Sequence, residues 1–248
     1  MDEKKMSAMR AGGKIIARIF AELKDYTKAG MTGREISDWV EKKILDAGAS
    51  VAYYEPEVNF PGSICISVND ELIHGTPKDI PFEEGDKVSY DLVIKYHGYY
   101  VDSAFTMIIG KPTAAQKHLL SFTESSLYEG IEQVKAGAKL GDIGAAVEKT
   151  LEKGKLGVIR NYVGHGIGKS MHMPPEVPNY GKKGQGYELK AGDTICIEPM
   201  SSLGKPDTIV VEDDGDGWTV CLKDGSLGCH FEHTILVTED GYEILTQA

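Results

Sequence analysis

Apolar residues recur every three to four positions over residues 6–27, where Ile15, Ile16, Ile19, Phe20 and Leu23 form one stripe, and this spacing predicts an amphipathic helix. A second helix is predicted over 33–47. It opens at Thr32, with Glu35 three residues later in a capping-box pattern. Helical spacing returns over 113–135 and 140–153. Elsewhere the period shortens to two. Strands are predicted at "SICISV" (63–68), in a hairpin over 87–109, and at 194–200, 208–211, 218–222 and 229–237. The stretch 160–192 is rich in glycine and proline. No low-complexity segment or linker interrupts the chain, so residues 1–248 read as a single α+β domain.

The pattern also repeats. Residues 28–44, "KAGMTGREISDWVEKKI", align without a gap on residues 135–151, "KAGAKLGDIGAAVEKTL", at an offset of 107. That offset lays "EGDKVSYD" over "AGDTICIE", so Asp91 falls on Glu198. After an insertion in the second half, "VDSAFTMIIG" resembles "FEHTILVTEDG", and Asp102 corresponds to Glu232. Two similar halves, about 1–110 and 111–248, are expected, each contributing two acids. The period is too long for a solenoid.

Aspartate is disfavoured in strands, yet the hairpin "SYDLVIKYHGYYVDSAF" carries one in each arm. With a turn centred between Tyr96 and His97, Asp91 and Asp102 are predicted to face each other with Cβ atoms about 4.5–5.5 Å apart. Two carboxylates that close must share a proton or a cation. Four acids from two halves demand divalent metal.

Charge and cysteine usage narrow the field. A formal charge of −11 argues against a protein that grips nucleic acid or anionic membranes. No run of about 18 apolar residues suggests a membrane span. The N-terminus lacks the apolar core of a secretion signal, and a cytoplasmic location is expected. Cys65, Cys196, Cys221 and Cys229 lie far apart and read as buried, reduced thiols. The acidic run 210–218, "VVEDDGDGW", lacks the glutamate and spacing of a calcium loop and reads as a solvated turn.

Three of the seven histidines stand out: His74 in "NDELIHGTP", and His165 and His172 in "NYVGHGIGKSMHMPP". The glycines around His165 permit close backbone approach and do not have the spacing of a phosphate loop. Taken in order, "FPGSICISVNDELIHGTP", the two aspartates, "GHGIG", "IEPM" and "FEHTILVT" resemble the methionine aminopeptidases of the pita-bread family, over nearly the whole chain. The resemblance implies pseudo-two-fold halves with a curved antiparallel sheet backed by helices. At this length the chain resembles the short type I form, without a zinc-binding extension or the type II insertion.

Carried over by position, the resemblance implies that Asp91, Asp102, His165, Glu198 and Glu232 hold two divalent ions. Asp102 and Glu232 would bridge, Asp91 would bind one ion, and His165 with Glu198 the other. Ions about 3.5–4 Å apart generate a bridging hydroxide and polarise a scissile carbonyl. Glu198 is the implied proton carrier, and His74 and His172 are implied to hydrogen-bond the scissile amide. An oxygen-rich set with one imidazole suits Mn²⁺, Fe²⁺ or Co²⁺ and admits Zn²⁺. Phe60, Cys65 and Trp218 match the methionine pocket by position. Met171 stands where an aromatic is common, as does Glu57.

The implied activity is removal of N-terminal methionine from nascent proteins with a small second residue, by a monomer. Prolidase- or aminopeptidase-P-like activity on the same fold is the nearest alternative. A non-catalytic, peptide-binding relative is the third, though such proteins lose ligand positions that are all filled here.

Overall fold

All four helical patterns become helices in the computed structural model, which describes residues 2–210 and 216–247. They are α1 (Glu3–Tyr26), α2 (Gly33–Asp46), α3 (Ala114–Ile131) and α4 (Leu140–Lys153). α1 begins earlier than its apolar stripe because the Asp2 carboxylate accepts from the amides of Lys4 and Lys5. α3 stops short of residue 135, and beyond it the Gly137 amide donates to the Leu189 carbonyl instead.

The duplication extends into the backbone. α2 and α4 are both 14 residues long and their ends differ by the same offset of 107. Before each helix a glycine takes positive φ, Gly30 at 90° and Gly137 at 84°. Isolated bridges join Thr32 to Pro81 and Lys139 to Glu188, again equivalent pairs. At each N-cap an acid three residues on accepts the backbone amide, Glu35 from Thr32 and Asp142 from Lys139.

A nine-stranded antiparallel sheet carries the site. Its main path runs Ser50–Val51, Lys87–Tyr96, Tyr99–Ile108, Glu232–Val237, Thr194–Ile197, Gly164–Gly166 and Met173–Val177. Cys65–Val68 also pairs with Lys87–Tyr96, and Tyr242–Ile244 with Glu232–Val237. The helices cover it, as where Phe20 of α1 meets Phe105 edge to face at 4.7 Å.

Two expected strands are each divided. Thr194–Ile197 ends before Glu198, because Pro199 has no amide to donate to a ladder. The chain resumes at Met200–Ser202 in a separate three-stranded sheet with Gly228–His230 and Gly157–Val158. Likewise the segment 229–237 breaks at Phe231 into Gly228–His230 and Glu232–Val237. Thr208–Val210 and Val220–Leu222 pair with each other; residues 211–215, which hold most of the acidic turn, lie outside the described residues.

The hairpin register differs from the expectation. His97 and Gly98, both at positive φ, form a two-residue turn one position later than foreseen. Asp91 therefore pairs with Ala104, and Asp102 with Val93. The shift is two residues in register, so both acids stay on one face. They are diagonal neighbours instead of opposite ones.

Gly13 of α1 packs on the chain near its other end, where an added Cβ would stand 1.9 Å from the Leu245 carbonyl oxygen. Gly13→Ala is expected to destabilise the protein by about 1–3 kcal/mol despite alanine's better helix propensity. Urea denaturation checks this; unchanged or raised stability would contradict this close approach.

Candidate functional site

Strand order explains how residues so distant in sequence meet. Cys65 pairs with Asp91, Asp91 with Ala104, and Ala104 with Glu232, a single row across four neighbouring strands. The small Ala104 side chain between the two acids leaves the space above it open. Asp102 is two positions along from Ala104 on the same face. Glu198 directly follows Ile197, the partner of His233, and His165 lies on the next strand.

Hydroxyl groups brace these backbones. Thr234 Oγ1 donates to the Asp102 carbonyl at 2.7 Å and accepts from the Asp102 amide at 3.1 Å. Thr106 does the same for His230, and Ser103 Oγ donates to the Glu232 carbonyl at 2.7 Å. Asn179 Nδ2 donates to the Glu198 carbonyl at 3.0 Å. Around His165, the glycines serve backbone approach: a Cβ on Gly164 would meet the Cys196 carbonyl at 2.2 Å, and one on Gly166 the Pro174 carbonyl at 2.3 Å.

All eleven residues picked out from the sequence line one cavity of about 250 Å³: Phe60, Cys65, His74, Asp91, Asp102, His165, Met171, His172, Glu198, Trp218 and Glu232. His165 Nε2 lies 3.5 Å from Glu198 Oε1 and 3.8 Å from Asp102 Oδ2. The ring of His172 meets that of His165 edge to face, with centroids 4.4 Å apart. His74 holds a left-handed backbone at φ 56°, a region that histidine enters more readily than most side chains, and its ring meets that of Tyr162 edge to face.

Burial governs the electrostatics. It raises the carboxyl of Asp91 to about 6, against a hydrogen bond from Tyr53 that favours the charged form. Asp102, Glu198 and Glu232 are pushed well up, by burial first and then by one another's charge. Burial lowers His165 and His74 to about 4, so both imidazoles are neutral at pH 7. Neutral imidazole is the ligating form.

The donor set fits a cation. Among the described residues five buried side-chain polar atoms lack a hydrogen-bond partner, and four of them are here: Asp102 Oδ1, Glu232 Oε1 and both nitrogens of His230. Oxygen acceptors left idle beside neutral imidazoles are what a divalent ion would satisfy.

The sequence reading missed His230 and Tyr53. His230 stands two positions before Glu232 in "CHFEHT", a spacing that puts alternate residues of an extended chain on one side. Tyr53, on a single 3₁₀ turn (Ala52–Tyr54), donates its hydroxyl to Asp91 Oδ1 at 2.7 Å. Its ring packs on Phe60 at 5.2 Å, and Phe60 on Trp218 at 5.5 Å. Glu57 is exposed, so Tyr53 provides the aromatic surface missing there. Met171 is buried in the cavity wall. All four cysteines are free, three of them buried.

This is the pita-bread fold, with a buried carboxylate–imidazole cluster that defines a metal-binding hydrolase. The chain belongs to metallopeptidase family M24, whose pattern matches residues 7–239. It is 39% identical to methionine aminopeptidase 1 of Bacillus subtilis over 244 residues, covering 98% of this chain and 97% of that one. The crystal structure of methionine aminopeptidase from Rickettsia prowazekii superposes with a TM-score of 0.95 at 40% identity, covering 99% of this chain and 98% of the other. Prolidase from Pyrococcus furiosus shares the fold, with a TM-score of 0.79 at 21% identity, over 100% of this chain and 65% of its own.

Carboxyls with raised pKa values stabilise the metal-free fold at low pH and cease to as pH rises through those values. The buried histidines act oppositely, but from about one pH unit above their unfolded value of 6.5 they are neutral in both states and contribute little slope. Metal-free protein is therefore expected to lose thermal stability as pH rises above about 7.5, and excess divalent metal to remove the loss by replacing protons. Melting curves of chelated and reconstituted protein test this; a metal-free protein more stable at the higher pH would contradict it.

Proposed function

We propose that this chain is a methionine aminopeptidase that removes the N-terminal methionine from new proteins whose second residue is small. The observation that carries the reading is the convergence of Asp91, Asp102, His165, Glu198 and Glu232 at one cavity that also has an apolar wall. The five would hold two divalent ions, drawn from Mn²⁺, Fe²⁺, Co²⁺ or Zn²⁺. When bound, such ions polarise a carbonyl and acidify water.

The chain's own groups do the rest. Glu198 receives a proton from the attacking water and delivers it to the departing amine. Held neutral by burial, His74 is suited to hydrogen-bond the scissile amide, and His172, on the exposed rim, to steady the oxygen that becomes charged. Tyr53, Phe60, Cys65, Met171 and Trp218 enclose the methionine side chain, and the thioether of Met171 suits contact with another thioether. Asp216 steadies that wall: it accepts from the amide of Trp218 and from the hydroxyl of Thr76, tying the Trp218 loop to the His74 loop.

No helix among the described residues is long and apolar enough to cross a membrane. Free thiols beside the site fit work in the reducing cytoplasm on nascent chains, by a monomer in which residues 1–248 form one catalytic domain.

Metal-loaded protein is expected to cleave a Met-Ala-Ser peptide and to leave an Ala-Pro peptide nearly untouched. Preference for the proline peptide would overturn the reading. Asp102→Asn should lower kcat/KM on the order of 10³-fold or more with circular dichroism unchanged. For His172→Ala, kcat should fall about 10²–10³-fold while elemental analysis finds the same metal content. Loss of metal in that variant would make His172 a ligand.

A further inference from the structure

Two histidines face the acidic cluster in closely similar ways. His165 Nε2 stands 3.5 Å from Glu198 Oε1 and 3.8 Å from Asp102 Oδ2. His230 Nε2 stands 3.8 Å from Glu198 Oε2 and 3.9 Å from Glu232 Oε2. Each imidazole thus addresses a pair of carboxylates, and Glu198 turns one oxygen to each.

The contacts of His230 are about half an ångström or more beyond hydrogen-bond range. They do suit two donors on one ion. With bonds near 2.1 Å, neighbouring ligand atoms lie about 3.0 Å apart in an octahedron and about 3.4 Å in a tetrahedron, and wider in an irregular site. The donor atoms of Glu198, His230 and Glu232 all lie within 4.8 Å of one another.

His230 is only 2% exposed, and neither ring nitrogen has a partner. A buried imidazole with both nitrogens idle is costly, so something must occupy it. Its backbone cannot swing away, since Thr106 binds both its amide and its carbonyl. Cys196 also adjoins the cluster, but its thiol already has Thr234 Oγ1 at 3.7 Å.

We propose that His230 is a ligand of the centre, its Nε2 joining Glu198 and Glu232 on one ion. The centre then has two imidazoles instead of one. This rests on the metal-dependent reading above and sharpens it. An added neutral nitrogen leaves the charge balance of four carboxylates and two divalent ions intact. It also moves preference away from Mn²⁺ and toward Co²⁺ and Zn²⁺.

X-ray absorption on cobalt-loaded protein counts imidazoles directly and does not depend on turnover. The wild type is expected to show about two imidazoles per pair of ions, His230→Gln one, and His165→Ala one. Glutamine keeps a hydrogen-bond donor at the position while removing the imidazole. One imidazole in both the wild type and His230→Gln, with none in His165→Ala, would overturn the proposal and leave His230 a hydrogen-bond donor to Glu198. Should His230→Gln fail to fold, the wild-type and His165→Ala counts decide by themselves. Protein that takes up no cobalt would instead defeat the metal-dependent reading on which the proposal stands.

Discussion

Four carboxylates within reach of each other, three of them held out of water and Asp91 half-buried beside them, constitute the constraint on which this structure depends. Left charged and unaccompanied they would repel strongly in a medium of low dielectric, and burial alone already drives their protons on. The sheet nevertheless fixes them firmly. Ala104 sits between Asp91 and Glu232, and threonine and serine hydroxyls clamp the backbones of Asp102 and Glu232. A fold that spends so many buried polar contacts on bringing like charges together makes physical sense when cations complete it.

Much of this was legible in the sequence because it depends on periodicity and on local chemistry. α2 and α4 were found at nearly their observed bounds, since capping residues and an apolar stripe are local signals. The acids stood out as polar residues inside otherwise apolar strands, and the duplication linked them in pairs. Register was less legible, because two consecutive positive-φ residues, His97 and Gly98, displaced the turn by one position. The face of Asp91 and Asp102 survived that error; their direct opposition did not.

What the sequence concealed was the contribution of residues whose neighbours come from elsewhere in the chain. Tyr53 reaches Asp91 from an irregular turn with no periodic pattern, and short strands such as Gly164–Gly166 are defined only by the strands beside them. His230 carries no distinguishing local motif, and only the fold sets Glu198 and Glu232 around it. The pocket shows the same limit in reverse. Glu57 looked like a defect in an aromatic wall, but the wall is completed from four residues upstream.

The threonine clamp between Tyr99–Ile108 and Glu232–Val237 has a temporal side. Thr234 and Asp102 are 132 residues apart, so a chain emerging from the ribosome makes the first aspartates long before the strand that locks them. Until then the edge of Tyr99–Ile108 lacks its neighbour and the early acids have only water around them. The centre is consequently a late product of synthesis, formed when the two halves join, and a metal ion arriving then would bind at the seam that holds them together.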